Sequence, residues 1–245
     1  MDFKKHYKLD AELFDYFGAD QLTQNERRRN HYVLKYFTPH AGDKILDIGS
    51  GRGWFSLEMA KKGFDITAVD LSQKNLDAIN EKSERVKTYY GSAEELPFIE
   101  EKFDWIVMNE VLEHLENPLL VLKHIQKFLT PLGKIFISVP YNENIVQELC
   151  IHCNQLTPHS SHLHSFTKKS LKRLAAESSL FIINDFTYLH KLFTKTGLIT
   201  LLAPMPNCMF EIKDQFLCTI NDKAEYISLV LMKKRRSEGE REERS

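Results

Sequence analysis

A glycine-rich loop at residues 47–53 is the sequence feature that most limits the possible folds. It reads Asp-Ile-Gly-Ser-Gly-Arg-Gly, directly follows a short apolar strand, and directly precedes a helical pattern. Glycines at this point let the backbone turn tightly and approach a ligand at the carboxyl end of a strand. The next predicted strand ends in Asp70, whose carboxylate can accept hydrogen bonds from the two hydroxyls of a ribose. The loop and the acid together predict a nucleoside-binding crevice.

The residues around the loop indicate which nucleoside binds. A dinucleotide fingerprint that starts at Gly49 needs glycine or alanine at position 54, and this chain has Trp54 there. Asp47 would repel a pyrophosphate and attract an ammonium or sulfonium group. A nicotinamide-dependent oxidoreductase is therefore disfavoured, and S-adenosylmethionine fits the crevice better.

Apolar strands and helical stretches alternate from residue 44 to residue 140, a pattern that predicts parallel βαβ units. The alternation resumes with a helix predicted over 168–177. Before it, residues 1–41 read as a helical lead-in, in which Thr23 and Glu26 have capping-box spacing.

Two stretches interrupt the alternation and predict cap insertions at 141–165 and 190–222, which usually shape a substrate pocket. Residues 204–207 read Pro-Met-Pro-Asn, which excludes regular structure there. The last thirteen residues are mostly charged. We therefore predict a single domain over 1–232, followed by a charged, disordered tail at 233–245.

Four motifs, occurring in the right order, resemble the class I S-adenosylmethionine-dependent methyltransferases. They are ILDIGSGRG at 45–53, AVDLS at 68–72, GSAEELPF at 91–98 and FDWIVMNEVLEHLENP at 103–118. The resemblance implies an α/β fold with a doubly wound, seven-stranded, mostly parallel sheet of the Rossmann-like methyltransferase type. It also implies an enzyme whose cofactor, S-adenosyl-L-methionine, is bound by residues of these motifs: Asp47, Gly49, Ser50, Gly51, Gly53, Asp70, Leu71, Ala93, Glu94 and Asn109.

Three consecutive arginines, Arg27–Arg29, lie on the lead-in. Among small-molecule methyltransferases, the chain is most similar in its motifs to the ubiquinone-biosynthesis O-methyltransferases. Their R-x-x-Y pattern implies that Arg29, three residues before Tyr32, lies against the carboxylate of the cofactor. The alternative is that the arginines form a solvated helix face.

Methylation of a hydroxyl requires a base that removes its proton, and histidine is suited to this at neutral pH. His114 follows the fourth predicted strand, and His162 and His164 lie in the first insertion. These three histidines are the predicted catalytic residues. The alternative for His114 is that it caps or packs against the start of a helix over residues 110–115.

The stretch EVLEHLENP also resembles the ubiquinone-biosynthesis enzymes, in which two acids and a histidine are implicated in binding a divalent cation. The resemblance implies a site for a cation such as Mg²⁺ at Glu110, Glu113 and His114, which at this spacing would share a helical face. Carboxylates favour a hard cation. The cation would lower the pKa of the acceptor hydroxyl and orient a catechol-like substrate.

Two other groups of residues have structural alternatives. Cys150 and Cys153, followed by histidines, suggest zinc ligands, although they could equally be packed thiols. Aromatic and methionine side chains could line an apolar acceptor pocket or belong to the core: Tyr141, Phe166, Phe193, Met205, Met209 and Phe210.

The predicted reaction is methyl transfer to a small organic acceptor, with a hydroxyl favoured over nitrogen or carbon. The insertions depart from the quinone-biosynthesis pattern, which leaves the acceptor open. Two alternatives remain: a C- or N-methyltransferase of a secondary metabolite or sugar, and a non-catalytic cofactor-binding module.

Charge and hydropathy exclude other classes. The chain has 33 Lys+Arg against 34 Asp+Glu, which argues against a nucleic-acid partner. No apolar run approaches the roughly 20 residues of a membrane span, and the charged N-terminus is unlike a signal peptide. We expect a cytoplasmic monomer or homodimer whose partner is a small-molecule acceptor.

Overall fold

The computed structural model describes residues 3–13, 22–96, 100–150 and 154–234. The strands within these ranges are β1 (Lys44–Ile48), β2 (Asp65–Asp70), β3 (Val86–Tyr90), β4 (Phe103–Asn109), β5 (Leu129–Pro140), β6 (Gln147–Leu149), β7 (Leu156–Pro158), β8 (Leu180–His190) and β9 (Ala224–Lys233). The α-helices are α1 (Phe3–Leu13), α2 (Gln24–Tyr36), α3 (Trp54–Lys61), α4 (Gln73–Lys82), α5 (Pro118–Ile125), α6 (Lys168–Glu177), α7 (Lys191–Lys195), α8 (Leu198–Leu201) and α9 (Asn207–Ile220).

Seven strands form one sheet in the order β3-β2-β1-β4-β5-β9-β8. The first five strands of this order pair in parallel, and β9 is antiparallel to both β5 and β8. The chain turns back across the sheet between β1 and β4, so their carboxyl ends border a crevice of the kind that holds ligands in open α/β sheets. The predicted doubly wound, mostly parallel sheet is confirmed.

Alternate residues of the central strands point to two different apolar clusters. On β4, Ile106 and Met108 belong to one cluster, whereas Trp105 and Val107 belong to the other. Successive side chains of a strand point to opposite faces of the sheet. The sheet is therefore buried on both faces, which matches the nearly continuous apolar sequence of its strands.

The N-terminus of α2 has the predicted capping box. The Glu26 backbone N–H donates to Thr23 Oγ1 at 3.2 Å, and the Thr23 backbone N–H donates to Glu26 Oε2 at 2.7 Å. The two bonds satisfy donors that the first helical turn leaves without partners. The bounds of α6 also agree with the helix predicted over 168–177.

The second insertion is more regular than its sequence indicated. Pro204–Pro206 is irregular, but α7, α8 and α9 occupy most of residues 191–220. Phe193 and Phe210 are 6% and 0% exposed and pack in a third apolar cluster. The prediction that residues 204–207 lack regular structure thus holds for 204–206 and is wrong for Asn207, which begins α9. None of the helices in the described ranges has the length and apolar character needed to cross a bilayer.

Candidate functional site

A cavity lies at the carboxyl edge of the sheet. Its wall is formed by residues that follow β1, β2, β3 and β4, together with Tyr7 of α1. Seven of the residues predicted from the sequence line it: Gly49, Asp70, Leu71, Ala93, Glu94, Glu110 and His114. Residues of separate motifs therefore meet at one cavity, as expected for strand ends of a parallel sheet.

At two positions of the loop only glycine fits, because neighbouring side chains approach the backbone too closely for a Cβ atom. Gly49 has φ +71°, and a Cβ there would lie 2.4 Å from Val111 Cγ2. Gly53 has φ +78°, and a Cβ there would lie 2.4 Å from Ile79 Cγ1. Because Val111 also lines the cavity, Gly49 shapes the ligand wall. Gly53, in contrast, allows α4 to pack against the start of α3.

Asp70 has its carboxylate fixed by donors from both sides. Oδ2 accepts the Gly51 N–H at 2.8 Å, and Oδ1 accepts the Ser72 N–H at 2.9 Å and Asn75 Nδ2 at 3.2 Å. Burial raises the pKa of Asp70, and the bonds from Ser72 and Gly51 oppose that shift. The carboxylate is thus held at the cavity wall in a fixed orientation. A carboxylate oxygen has two lone pairs, so capacity remains for a ligand hydroxyl.

Buried hydroxyls near the cavity provide a test of whether a polar ligand fits. Ser50 Oγ and Ser92 Oγ are buried without a hydrogen-bond partner among the described residues, and Ser92 lines the cavity. Buried polar groups in native proteins are nearly always paired. The side-chain amide of Asn109, at the end of β4, likewise has both Nδ2 and Oδ1 buried without a hydrogen-bond partner among the described residues. These groups fit the polar part of a nucleoside-containing cofactor.

Asp47 lies behind the loop and is 2% exposed. Its Oδ2 accepts a hydrogen bond from Ser56 Oγ at 2.6 Å. Burial, reinforced by the charge of Asp70, raises the pKa of Asp47 to about 7 against an ordinary value of 3.8. A cationic ligand beside it would favour the ionised form, which agrees with the preference for an ammonium or sulfonium inferred from the sequence.

We expect Asp47→Asn to change the pH dependence of stability. The folded protein holds the Asp47 proton more tightly than the unfolded chain, so stability is lost as pH rises from about 4 to about 7. The loss amounts to roughly 4 kcal/mol at 1.36 kcal/mol for each pKa unit. The variant lacks this loss, so its Tm relative to the wild type should rise between pH 5 and pH 8 in ligand-free calorimetric scans. Parallel Tm profiles would contradict the assignment, and Asp77→Asn, at an exposed position, is the control.

The three arginines of α2 have different surroundings. Arg27 is exposed, whereas Arg28 is buried and donates to the carbonyl oxygens of Leu202 and Met205. Arg29 lies 3.7 Å from Glu110 Oε2, and its guanidinium lies over the Tyr226 ring. Of the three arginines, only Arg27 lies on a solvent-exposed face, as the alternative interpretation expected. Arg29 is directed towards the Glu110 wall of the cavity.

Glu110 departs from the expected local structure. The sequence predicted a helix start over residues 110–115, but Glu110 has φ +55° and only Leu112–His114 forms a 3-10 turn. The helix prediction is wrong because the left-handed residue redirects the chain directly after β4. Non-glycine residues in this conformation are strained and concentrate at functional sites. The strain places the Glu110 carboxylate beside Arg29 and within reach of Ser138 Oγ at 3.3 Å.

A potential metal-ligand cluster lies on the same side of the cavity. One ligand atom each from Glu113, His114 and His162 lie within 4.8 Å of one another. Glu113 is fully buried, and neither of its carboxylate oxygens has a hydrogen-bond partner among the described residues. The structure thus groups Glu113 and His114 with His162, and places the third predicted ligand, Glu110, against Arg29 instead.

Backbone hydrogen bonds bring the first insertion onto the turn after β4. The Leu163 and His164 N–H groups donate to the Glu113 carbonyl oxygen at 2.8 and 3.2 Å. His164 also contacts the Leu115 carbonyl oxygen through Nε2 at 2.8 Å. His164 therefore helps to join the two segments, and His162 is the insertion histidine that enters the cluster.

The buried carboxyl groups of Glu110 and Glu113 have raised pKa values. Burial raises the pKa of Glu110, and the Arg29 charge opposes the shift. Burial, followed by repulsion from Glu110, raises the pKa of Glu113 well above its ordinary range. An unpaired buried carboxylate is costly unless it is protonated or balanced by a cation. Glu113 is therefore a position at which a positive charge would be favourable.

Two residues that contact the site were not predicted from the sequence. Glu143 Oε2 lies 2.6 Å from His162 Nδ1 and so orients the imidazole. Tyr7 donates through its hydroxyl to the carbonyl oxygens of His114 at 3.0 Å and Ser161 at 2.8 Å. The spacing between Tyr7 and its partners exceeds a hundred residues, so no local pattern could have signalled it.

The predicted acceptor-pocket side chains do not form that pocket. Tyr141 and Phe166 are 3% and 6% exposed and belong to the main core, and Met209 is 51% exposed on α9. The core alternative is therefore confirmed for the buried aromatics. The zinc hypothesis involves Cys153, which lies outside the described residues.

Comparison with known proteins identifies relatives over about two thirds of the chain. The profile of a family described as "Methyltransferase domain" matches residues 13–183. A ubiquinone biosynthesis O-methyltransferase from Aliivibrio fischeri strain MJ11 is 31% identical over 178 residues, which are 67% of this chain and 74% of that protein. A malonyl-[acyl-carrier protein] O-methyltransferase from Erwinia pyrifoliae is 26% identical over 168 residues, 69% of this chain and 63% of the relative.

A solved structure has the same fold. The Burkholderia thailandensis 1,6-didemethyltoxoflavin-N1-methyltransferase, with bound 1,6-didemethyltoxoflavin and S-adenosylhomocysteine, superposes with a TM-score of 0.60 at 18% identity. The match covers 95% of this chain and 87% of that structure. Similarity at this level of identity concerns the arrangement of the sheet and helices alone.

Proposed function

This chain belongs to the class I S-adenosylmethionine-dependent methyltransferases, and from that membership we propose that it methylates a hydroxyl oxygen of a small organic acceptor. The observation that carries the proposal is the buried Glu113 carboxyl, which has no hydrogen-bond partner among the described residues and lies beside His162 and the cavity-lining His114. Relatives named as O-methyltransferases support the choice of oxygen.

The cofactor is held by the residues at the carboxyl ends of β1 to β4. Asp70 accepts hydrogen bonds from the ribose hydroxyls, and Leu71 and Ala93 flank the adenine. Gly49 leaves room for the methionine portion against Val111. Arg29 binds the methionine carboxylate, exchanging part of its interaction with Glu110 for the ligand. Bound in this way, the cofactor supplies an electrophilic methyl group on a sulfonium.

The acceptor site lies at the side of the cavity formed by Glu110 and His114. Transfer of a methyl group from sulfur to oxygen is an in-line displacement, so the protein mainly aligns the two atoms and removes the hydroxyl proton. Without a cation, His162 is the residue for proton removal, because Glu143 binds Nδ1 at 2.6 Å and leaves Nε2 as the second ring nitrogen. His114 lies next to it, with a ring-centroid distance of 4.8 Å.

A divalent cation at Glu113, His114 and His162 is the finer part of the proposal. One carboxylate and two imidazoles are suitable donors for such an ion, and the unpartnered oxygens of buried Glu113 fit it. When bound, a cation lowers the pKa of an acceptor hydroxyl. Glu143 then acts as an outer partner that fixes the ring orientation of His162.

Metal removal is the experiment that tests the proposal. The protein is dialysed against a chelator and supplied with S-adenosylmethionine and a panel of catechols, for example 3,4-dihydroxybenzoate. Mg²⁺, Mn²⁺ or Zn²⁺ is then restored in separate reactions. We expect O-methylated product, identified by mass spectrometry and NMR, to fall at least about tenfold on chelation and to return with one of the ions.

Two results would contradict parts of this account separately. Unchanged O-methylation after chelation and extensive dialysis would remove the cation and leave His162 as the base. Methyl transfer found on carbon or nitrogen acceptors, with none on hydroxyls, would replace O-methylation by the C- or N-methyltransferase alternative. The cytoplasmic location remains a prediction from the sequence.

A further inference from the structure

Helix α9 has apolar residues on two opposite sides. Phe210 and Cys218 are buried on its inner side. Four large apolar side chains on the outer side are between half and three quarters exposed, namely Met209 (51%), Ile212 (73%), Phe216 (64%) and Ile220 (63%). Their spacing of three, four and four residues places them on one face of the helix. We call these four residues the outer stripe.

The orientation of α9 is fixed, so the outer stripe cannot turn inward. Asp214, on the inner side, is fully buried. Its carboxylate accepts the Tyr32 hydroxyl at 2.8 Å, the Leu189 N–H at 2.8 Å and the His190 N–H at 2.6 Å. Rotation of the helix would break these three hydrogen bonds and leave buried donors without partners. The outer stripe is therefore a permanent feature of the surface.

The size of the outer stripe is appropriate for the centre of a protein interface. Each of the four side chains exposes on the order of 100 Å², so the stripe offers roughly 400 Å² of apolar surface. This area is within the range of surface patches that are often functional. A standard interface takes about 800 Å² from each partner, with a polar rim around an apolar centre. The stripe thus provides about half of what a stable dimer needs, as its apolar centre.

The outer stripe is also complementary to itself. The pair Met209 and Ile220 and the pair Ile212 and Phe216 are both centred near position 214. If two copies of α9 cross in opposite directions, each Ile212 meets the Phe216 of the other copy. Each Met209 likewise meets an Ile220, over a length of about 16 Å. This is the arrangement of a two-fold interface, in which the same patch serves both subunits.

Other occupants fit the outer stripe less well. Helices that lie on a lipid surface carry many Lys and Arg residues on their polar side. In α9 the acidic and basic side chains are Glu211, Lys213 and buried Asp214, and Glu211 is already paired with Lys35. The C-terminal residues 233–245 contain no large apolar side chain that could cover the stripe. We propose that the outer stripe of α9 is the two-fold interface of a homodimer.

The test is the molar mass of the 245-residue chain in solution, by light scattering after size-exclusion chromatography and by sedimentation equilibrium. We expect twice the chain mass of 28.6 kDa for the wild type and 28.6 kDa for Phe216→Glu and Ile212→Glu. Both positions are exposed, so the variants should keep the wild-type circular dichroism spectrum. Leu120→Glu, which places the same charge at a 60% exposed leucine of α5, should remain a dimer.

A monomeric wild type at the highest concentration measured would overturn the proposal. So would a dimer that persists in both stripe variants, because its interface would then lie elsewhere. A monomeric wild type that sediments with phosphatidylglycerol vesicles, and a Phe216→Glu variant that does not, would assign the stripe to a lipid surface instead.

Discussion

Asp70→Ala is expected to lower the affinity for S-adenosylmethionine by at least about 100-fold, because two hydrogen bonds to a charged acceptor contribute about 1.5–3 kcal/mol each. The substitution also leaves the N–H groups of Gly51 and Ser72 and the amide of Asn75 without their shared acceptor. The loop after β1 and the turn after β2 would then lose the group that holds them together. Isothermal titration calorimetry with S-adenosylmethionine measures the effect.

The matched control for this prediction is Asp77→Ala, which removes an exposed carboxylate from α4. Its affinity should equal that of the wild type. Asp70→Asn should be intermediate, since it keeps one acceptor oxygen but presents an amide donor to groups that are themselves donors. An Asp70→Ala protein that is folded and binds within threefold of the wild type would show that the ribose is held elsewhere.

Glu113→Gln is expected to reduce kcat by at least about 100-fold. Loss of a residue that only orients a metal ligand typically lowers activity 10–100-fold, and loss of a ligand itself should lower it at least as much. The affinity for S-adenosylmethionine should not change, since Glu113 is absent from the cavity wall. Burial raises the pKa of the Glu113 carboxyl well above its ordinary range, so the isosteric, uncharged amide should leave the Tm unchanged. The measurement is steady-state turnover together with calorimetric titration of the cofactor.

Two further substitutions show whether the loss of kcat is specific to Glu113. Glu143→Gln should give a smaller loss of kcat, because it weakens the orientation of His162 without removing a ligand. Glu148→Gln, which alters an exposed contact with His159 Nδ1 in the same insertion, should have no effect. Equal losses in Glu113→Gln and Glu148→Gln would indicate a general disturbance of the insertion and contradict a specific role for Glu113.

The side of the cavity formed by the glycine-rich loop and Asp70 could be predicted because its signals are local. The residues of the loop at 47–53 are neighbours in the sequence, and Asp70 ends the adjoining strand, so a short pattern contains most of the geometry. The same holds for the Thr23 and Glu26 capping box, whose two side chains are three residues apart. In each case the physical requirement is met within one turn or one strand end.

The side of the cavity formed by Glu110 and His114 could not be predicted in the same detail, because its contacts join distant segments. His162 reaches Glu113 only because the backbone of residues 163 and 164 bonds to the Glu113 carbonyl oxygen. Glu110 was expected on a helix, and its positive φ instead directs it towards Arg29. Such a conformation is set by the surrounding packing and has no signature in a single sequence.

The second insertion illustrates a different limit. Its prolines at 204 and 206 correctly indicated a break, but the break is followed immediately by α9, the longest α-helix in the described ranges. The apolar residues of α9 fall on two faces, so a single amphipathic stripe was not evident in the sequence. Only the packing of Phe210 and Asp214 against the sheet shows which face is the inner one.

Calorimetric titration of the 245-residue wild-type chain with S-adenosylmethionine, S-adenosylhomocysteine and NAD⁺ would show directly which cofactor the protein binds. We expect saturable binding of the first two at one site per chain, in the micromolar range, and no binding of NAD⁺. Binding of NAD⁺ without binding of S-adenosylmethionine, or no binding of either S-adenosyl compound by the folded protein, would contradict this expectation.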